Sequence, residues 1–292
     1  MSFDALYKNM ITLYEEEGKK WCDELPEKVD QIIKHFGITE VLSYENLSYN
    51  YVASGLMNNH PIVLKIIYDQ KSLNYESKSL SAFKHVGSVK LLYRGDGFLL
   101  LEKLIPGNSL VGMMDNDVDI SLLSALIHQL HTLRGYEKSD FRSLHDWFSV
   151  FDQEWSLPKK YLHKACLIRN YFFNQNQKQV LLHGDLHHDN ILQHGSHWKA
   201  IDPKGIIGSP LYDATSFIVN PVRLLKNKEE EYLSQLFARR IKKISSLQGW
   251  SEQNLTAYCF MYTILSWIWA LQDGTDAEYQ KKCAEIFDNF MI

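Results

Sequence analysis

The stretch H-G-D-L-H-H-D-N at residues 183–190 is the densest polar cluster of the chain, and apolar residues bracket it at 180–182 and 191–192. Burial of both flanks would pin the polar segment to the core and fix its side chains. A functional site requires that rigidity, whereas a plain surface loop does not. The stretch therefore predicts a fixed polar loop whose side chains carry chemistry.

A β-hairpin is predicted directly after this loop. The short β-like runs 191–192 and 198–201 flank a polar turn that contains glycine. Asn190 precedes the first run and Asp202 follows the second, so antiparallel pairing brings the two side chains together. An amide oxygen beside a carboxylate suits Mg²⁺, which takes oxygen ligands and keeps waters or substrate phosphates in its other positions. The sequence thus predicts Asn190 and Asp202 as magnesium ligands.

Asp185 precedes Asn190 by five residues, outside the predicted metal pair but close enough to face the same cavity. That is the position of a catalytic base. An alternative interpretation combines Asp185 with His183, His187 and His188 in a transition-metal site, since imidazole and carboxylate are good zinc ligands. It is disfavoured because adjacent His187 and His188 cannot easily point at one ion.

The pattern along the chain changes near Pro106-Gly107. Before it, helical spacing predicts two helices up to Gly37, the second starting at Pro26, with Gly37 as a C-cap. Short runs of β-forming residues then predict a sheet with one inserted helix, comprising strands at 41–47, 49–56, 62–68, 89–93 and 98–103, a turn at 58–61 and a helix at 72–83.

Helices dominate the rest of the chain. Helical spacing of apolar residues from Leu122 onward predicts the first of them, with Asp119 as its N-cap. The other predicted helices are 144–151, 159–173, 229–247, 253–271 and a last helix ending near Phe290. The predicted fold class is α+β. It consists of a small antiparallel-sheet lobe at 1–104 and a larger, mainly helical lobe at 105–292, with a linker near 104–108.

Composition excludes several classes of protein. The 31 Lys+Arg and 35 Asp+Glu give a net charge of −4, so no basic field attracts nucleic acid. The four cysteines form no C-x-x-C pair, which argues against a disulfide framework. The N-terminus lacks the pattern of a secretory signal, and the apolar stretch 259–271 is too short for a bilayer. We expect a cytoplasmic protein with no membrane partner.

These residues resemble a known family. H-G-D-L-H-H-D-N, with Asp202 twelve residues after Asn190, resembles the H-x-D-x-x-x-x-N loop and metal-binding aspartate of the aminoglycoside phosphotransferase branch of the protein-kinase-like superfamily. With A-I-D-P-K-G at 200–205, it most resembles the streptomycin 6-kinase and aminoglycoside/hydroxyurea antibiotic resistance kinase family. The resemblance covers about residues 40–275. It implies a bilobal protein-kinase-like fold, and an enzyme that uses ATP (or GTP) and Mg²⁺.

The resemblance also implies a nucleotide site in the first lobe, where such enzymes need a strand lysine held by a helix carboxylate. Lys65 lies in the apolar strand 62–67, where a charge is costly unless it is paired, and Glu76 on the next helix is the natural partner. The competing interpretation places Lys65 on a solvated strand face.

Four further nucleotide contacts are implied. Ser48 and Asn50 stand where a phosphate-covering loop belongs, although the stretch has no G-x-G-x-x-G and a simple hairpin explains it equally well. The Glu102 carbonyl and the Leu104 N–H are expected to bind the adenine edge through backbone groups, which any side chains allow.

The remaining implied roles lie in the second lobe. His183 and Asp213 would support the catalytic loop. His187, His188 and Asp189 would either line the acceptor pocket or be polar filler of an exposed loop.

The predicted function is transfer of the ATP γ-phosphate to a hydroxyl of an aminoglycoside-like small molecule, by a monomer or homodimer. Sugar, choline-like and amino-alcohol acceptors stay open, because fold does not fix substrate. A non-catalytic nucleotide-binding module and a metal-dependent hydrolase built on the histidine cluster are the alternatives from other classes.

Overall fold

The computed structural model of the chain describes residues 4–45, 47–175 and 177–291. The predicted N-terminal helix, the first predicted strand and the predicted second lobe therefore each include positions that lie outside the described residues.

The chain divides into two compact units, the first made of Met1–Lys84 with Val89–Ile105 and the second of His85–Ser88 with Pro106–Ile292. The predicted division at 104/105 placed residues 85–88 in the first lobe and Ile105 in the second, whereas these units assign them the other way round. Residues 85–88 belong to the second unit because Ser88 forms a parallel bridge with Ala200.

The first unit begins with a long helical segment, α1, at Asp4–Phe36, which is interrupted at Glu15, where φ is 49°. The predicted break before Pro26 is wrong, since Pro26 lies inside the helix. The chain turns back at Glu15 so closely that a Cβ on Gly18 would lie 2.1 Å from the Met10 carbonyl oxygen. Glycine is the residue that permits this approach.

The predicted C-cap at Gly37 is confirmed. Gly37 has a φ of 61°, and the Ile38 N–H donates to the Ile33 carbonyl at 3.0 Å, as in a Schellman motif. This turn directs the chain into the first strand of the sheet.

The sheet of the first unit has five antiparallel strands in the order β1-β2-β3-β5-β4. Its strands and the helix between β3 and β4 are β1 Thr39–Ser43, β2 Asn50–Met57, β3 His60–Ile67, α2 Gln70–Ala82, β4 Leu91–Gly95 and β5 Phe98–Glu102. One face of this sheet packs with α1 into an apolar core. The antiparallel sheet with one inserted helix agrees with the prediction.

Among the boundaries of this unit that differ from the prediction, two have clear local reasons. The β2–β3 turn contains only Asn58 and Asn59, both with positive φ, as a two-residue hairpin prefers. Helix α2 begins earlier than predicted because Asp69 caps it, accepting from the N–H groups of Lys71 and Ser72.

The second unit is mainly helical. Its helices are α3 Val118–His131, α4 Leu144–Phe148, α5 Lys159–Phe173, α6 Thr215–Val219, α7 Val222–Leu225, α8 Glu230–Gln248, α9 Glu252–Gln272 and α10 Glu278–Phe290. The apolar stretch predicted as a buried helix is α9, most of whose side chains are buried. No helix in the described part of the chain is long and apolar enough to cross a membrane.

Two small sheets sit among these helices. They are formed by β6 Pro106–Ser109, β9 Ile191–His194 and β10 His197–Ala200, and by β7 Arg142–Ser143, β8 Val180–Leu182 and β11 Ile206–Gly208. The predicted hairpin is β9–β10, with Ile191 opposite Ala200. The segment predicted as a linker forms β6, which pairs with β9.

The predicted N-cap at Asp119 is wrong. Helix α3 begins at Val118 with Asp117 at the cap, and Asp119 lies in the first turn, where it is buried. Its carboxylate faces the interior of the unit, where Oδ2 lies 3.1 Å from His188 Nε2.

Candidate active site

The loop at 183–190 connects β8 to β9 and is pinned at both ends as predicted, because β8 and Ile191 are buried. Gly184 has a φ of 86°, and a Cβ there would lie 2.8 Å from Ile206 Cδ1. Both the backbone conformation and the close packing therefore require glycine at this position.

Asp213 lies beneath this loop and is almost completely buried. Its Oδ2 accepts from the His183 N–H at 3.0 Å, and its Oδ1 accepts from the Gly184 N–H at 2.8 Å. His131 Nε2 lies 2.9 Å from the same Oδ2. The carboxylate thus holds the start of the loop through main-chain hydrogen bonds.

His183 is fully buried and makes a hydrogen bond through each ring nitrogen. Nε2 donates to the Ile201 carbonyl at 2.8 Å, and Nδ1 accepts from the Asp185 N–H at 3.2 Å. Burial lowers the pKa of His183, which favours the neutral ring that this pattern needs. His183 therefore ties the loop at 183–190 to the strand end before Asp202.

Asp185 is partly exposed at the middle of the loop. Asn190 Nδ2 donates to the Asp185 carbonyl at 2.9 Å and lies 3.5 Å from Asp185 Oδ2. His187 Nε2 is 3.8 Å from Asp185 Oδ1, and Lys204 Nζ is 4.0 Å from Oδ2. The carboxylate is therefore fixed by its surroundings while one side stays open.

Asn190 directly precedes β9 and Asp202 follows β10, so both lie at the open end of this hairpin. At that end the Ile201 N–H donates to the Asn190 carbonyl at 2.9 Å. Asp202 has a φ of 65°, a conformation that is costly for a residue other than glycine and concentrates at functional sites. The Asn190 amide nitrogen is engaged by Asp185, so its oxygen is the atom that would bind a cation.

The residues present fit a magnesium ion. The donor set is a carboxylate and an amide oxygen, the hard ligands that Mg²⁺ takes. Lys204 Nζ already lies 3.3 Å from Asp202 Oδ2, so the carboxylate faces a position where a positive charge is stable. The alternative transition-metal site has no support, because no group of three or more His, Cys, Asp or Glu within residues 4–45, 47–175 and 177–291 could hold a metal.

His188 differs from both interpretations made from sequence. Its side chain is completely buried, stacked on Phe217 with ring centroids 3.9 Å apart, so it neither lines an open pocket nor fills an exposed loop. Its Nε2 lies 3.1 Å from Asp119 Oδ2 and 3.4 Å from an Arg240 guanidinium nitrogen. Burial lowers its pKa to about 4. The ring is part of the interior support of the loop.

His187 and Asp189 are exposed to different degrees. His187 lines the cavity beside Asp185. Asp189 points to the surface, where Arg223 donates to its Oδ1 at 2.8 Å. An acceptor-pocket role for either residue stays a prediction.

The predicted pair in the first unit is formed. Lys65 on β3 donates to both carboxylate oxygens of Glu76 on α2, each at 2.8 Å, and both residues are buried. Lys65 is therefore not on a solvated strand face. The roles of this pair in nucleotide binding stay predictions.

The other predicted nucleotide contacts lie on the expected segments. The Ser48 carbonyl accepts from Asn9 Nδ2 at 3.0 Å, and Asn50 begins β2. Glu102 ends β5, with its side chain accepting from the Lys90 N–H at 2.7 Å, and Leu104 follows as a buried residue.

Sequence reasoning missed a cavity of about 170 Å³ beside the loop. Asp185 and His187 line one side, and residues of α9 and α10, including Thr263 and Gln280, line the other. Thr263 and Gln280 lie far apart in sequence, in helices whose pattern gives no sign of a site. The buried Arg240 was also missed, although its position on the apolar face of α8, between Phe237 and Ile244, was a usable signal.

Three features of this chain are typical of kinase-like phosphotransferases. They are a fixed Asp185 beside a cavity, a hairpin bearing Asn190 and Asp202, and a sheet lysine bound to a helix glutamate. The chain matches the description Aminoglycoside/hydroxyurea antibiotic resistance kinase over residues 44–274. The protein belongs to this family, which confirms the resemblance seen in the sequence.

Similar proteins and solved structures agree with this assignment. The chain is 24% identical to a streptomycin 3''-kinase of Klebsiella pneumoniae over 64% of this chain and 72% of the relative. It is 21% identical to a streptomycin 6-kinase of Streptomyces glaucescens over 94% and 92% of the two chains.

Among solved structures, a thermostable mutant of the aminoglycoside phosphotransferase APH(4)-Ia, in a ternary complex with ADP and hygromycin B, superposes with a TM-score of 0.64. It shares 11% identity, and the match covers 89% of this chain and 97% of the other. The predicted protein-kinase-like α+β fold is confirmed.

Proposed function

We propose that the protein transfers the γ-phosphate of ATP to a hydroxyl group of a small molecule of the aminoglycoside or hydroxyurea type. The observation that carries this proposal is Asp185, a carboxylate held on a braced loop beside a cavity. The family to which the protein belongs, and two relatives that are named streptomycin kinases, support the same reaction class.

Asp185 acts as the catalytic base in this proposal. The acceptor hydroxyl oxygen forms a bond to the γ-phosphorus while the bond from that phosphorus to the β,γ-bridging oxygen breaks. The hydroxyl proton passes to Asp185 or is oriented by it, and ADP leaves. Catalysis of this kind is mostly positioning and charge stabilisation, which suits a loop fixed by Asp213 and His183.

Asn190 and Asp202 would hold Mg²⁺, whose charge neutralises the β- and γ-phosphate oxygens when it is bound. Lys65, oriented by Glu76, would hold nucleotide phosphates, with Ser48 and Asn50 covering them. The Glu102 carbonyl and Leu104 N–H would bind the base of ATP, or of GTP.

We propose that the reaction takes place in the cytoplasm, where ATP is available. The four cysteines are unpaired, which agrees with a reducing compartment. A monomer or a homodimer is equally compatible with the site, because every residue assigned to it comes from one chain.

The proposal is tested by measuring ADP release with ATP or GTP, with Mg²⁺ or with a chelator, and with streptomycin, hygromycin B, hydroxyurea, sugars and amino alcohols as acceptors. Asp185→Asn keeps the size of the side chain but removes its charge. Its kcat should fall by about 10²–10⁴-fold, while the KM for ATP changes little.

Asp96→Asn, in the exposed turn between β4 and β5, is the matched control and should keep the wild-type kcat. If Asp185→Asn retained most activity while His187→Ala lost it, His187 would be the base. If neither nucleotide were consumed with any acceptor, the kinase assignment for this chain would fail.

A further inference from the structure

The ammonium group of Lys204 lies beside both carboxylates of the proposed site. Its Nζ is 3.3 Å from Oδ2 of Asp202, the proposed cation ligand, and 4.0 Å from Oδ2 of Asp185, the proposed base. The side chains of Lys204, Asp185 and Asp202 are 38%, 31% and 29% exposed, so a bound ligand can reach all three. A single cation is therefore in place where the reaction would occur.

The backbone of Lys204 is fixed while its side chain can move. Its N–H donates to the His183 carbonyl at 2.7 Å, and its Cβ lies 3.2 Å from the position that a Cβ on Gly184 would take. The residues before and after Lys204 are buried. The start of the side chain is thus held against the loop that carries Asp185, and the flexible four-carbon stem allows Nζ to change position.

Stability alone gives a weak reason for this arrangement. Ion pairs between partly exposed side chains contribute little, because solvent screens the charges and ordering a long lysine side chain costs entropy. The ammonium nevertheless turns back over the chain toward Asp202 and Asp185. The pairing therefore calls for an explanation in the chemistry of the site.

Phosphoryl transfer requires positive charge at this place. During transfer, negative charge spreads over the three equatorial oxygens of the phosphoryl group, and two neighbouring carboxylates would repel it. An ammonium is a compact charge with three N–H donors and is a common ligand of phosphate groups. The phosphoryl group passes from the nucleotide phosphates, which the proposed cation ligand Asp202 serves, to an acceptor at Asp185. Lys204 Nζ lies beside both ends of that path.

We propose, building on the proposed function, that Lys204 is a catalytic residue that binds the transferring phosphoryl group. In the free protein its ammonium lies beside Asp202. With nucleotide and acceptor bound, it donates hydrogen bonds to the γ-phosphoryl oxygens while the acceptor oxygen bonds to phosphorus and the bond to the β,γ-bridging oxygen breaks. Lys204 keeps its protons throughout, and the hydroxyl proton follows the route given for Asp185.

The first test is Lys204→Met, which removes the charge and nearly keeps the length of the side chain. Its kcat should fall by about 10²–10³-fold, as when one donor to a developing anion is removed. The ratio of the Kd of AMP-PNP to that of ADP, measured with the same metal, should rise about tenfold, because only AMP-PNP carries a γ-phosphate. Its Tm should change little, since the lost ion pairs are partly exposed.

The second test uses Mn²⁺ alone, without nucleotide or acceptor, and measures its binding by electron paramagnetic resonance. Mn²⁺ prefers oxygen ligands, as Mg²⁺ does. Removing the ammonium beside Asp202 in Lys204→Met should lower the Kd of Mn²⁺ about tenfold, because a competing positive charge is gone. Lys204→Arg keeps the charge and should bind Mn²⁺ like the wild type.

The matched control is Lys242→Met, at an exposed position of α8. It should leave kcat, the Kd ratio and Mn²⁺ binding as in the wild type.

Other outcomes would overturn the inference. If the wild type released ADP and Lys204→Met kept its kcat or its Kd ratio, Lys204 would not bind the phosphoryl group, while the proposed function stood. A lowered Tm and kcat with an unchanged Kd ratio would show a purely structural role. Absence of ADP release by the wild type with all acceptors would instead contradict the proposed function, and the Kd ratio and Mn²⁺ binding would still decide the role of Lys204.

Discussion

The buried ring of His188 couples the stability of the protein to pH. Its pKa is lowered from 6.5 to about 4, chiefly by burial, and the Asp119 carboxylate opposes that shift while the Arg240 guanidinium adds to it. Between these two values the unfolded chain binds a proton that the folded protein does not. The contribution of His188 to stability is therefore complete above pH 6.5 and is lost progressively as the pH falls toward 4.

We expect the free energy of unfolding to be roughly 1 kcal/mol lower at pH 5.5 than at pH 7.5 on account of His188. The buried His183 adds to the effect, because its pKa is lowered in the same direction. Urea unfolding at the two pH values measures the difference.

His188→Gln should reduce this pH dependence, whereas His197→Gln, at the exposed first residue of β10, should leave it as in the wild type. Equal pH dependence in His188→Gln and the wild type would show that His188 is not the titrating group.

At the scale of single residues, the sequence predicts Asp185, Asn190 and Asp202 as site residues from their spacing in one loop and one hairpin. The structure places Asn190 in contact with Asp185 and opposite the strand end that precedes Asp202, and the roles of the three residues stay predictions. The sequence was not sufficient to separate His187 from His188. Adjacent residues in a loop point in different directions, and only the packing of Phe217 and Asp119 shows which ring turns inward.

Among the elements, helix α8 supports the wall of the cavity through one residue. Arg240 is almost fully buried and donates to the carbonyls of Phe217, Ile218 and Asn220 at 2.9, 2.7 and 2.7 Å. Its guanidinium also lies over the Phe217 ring, 5.2 Å from the centroid. One side chain thus fixes the backbone that leads into segment 219–222.

Arg240→Met should lower the free energy of unfolding by about 3–5 kcal/mol, since it leaves three buried carbonyls without their donor and removes the positive charge that interacts electrostatically with Asp119. Arg239→Met is the matched control. Arg239 is largely exposed and pairs with Asp117 at 3.4 Å, so its loss should cost below about 1 kcal/mol. Chemical denaturation checks both, and equal losses would contradict the role given to Arg240.

The long helices were predictable because their apolar spacing persists over several turns. Helix α5 was predicted at its observed bounds, and α8 and α9 within one residue. Strands β7 and β11 were missed because two or three residues show no alternation, and their pairing is decided by neighbours distant in sequence. Strand β6 has Pro and Gly, which normally indicate a turn, and only its partner β9 makes it a strand.

For the molecule as a whole, substitutions in the Lys65–Glu76 pair should change stability and turnover to different extents. Lys65→Met leaves a buried carboxylate without its cation and should cost about 3–5 kcal/mol of unfolding free energy. Adding Glu76→Gln removes that charge and should restore most of the loss. Activity should stay low in both proteins, because neither can hold nucleotide phosphates through position 65.

Denaturant unfolding and ADP release measured on the same preparations check this prediction. Lys20→Met, which removes an exposed pair with Glu24, is the control and should change neither quantity appreciably. If the double variant recovered wild-type kcat and KM for ATP together with its stability, Lys65 would be a structural residue only.

The support that Asp213 gives to the loop at 183–190 has an evolutionary consequence. Its hydrogen bonds go to the N–H groups of residues 183 and 184, which every amino acid except proline supplies. Apart from Gly184, whose left-handed backbone excludes most replacements, the part of the support that Asp213 gives does not depend on the identity of the side chains at these two positions. A lineage that keeps the buried His183 and His188 can therefore exchange the other side chains around the cavity, and so acquire a different acceptor, while the loop that presents Asp185 keeps its shape.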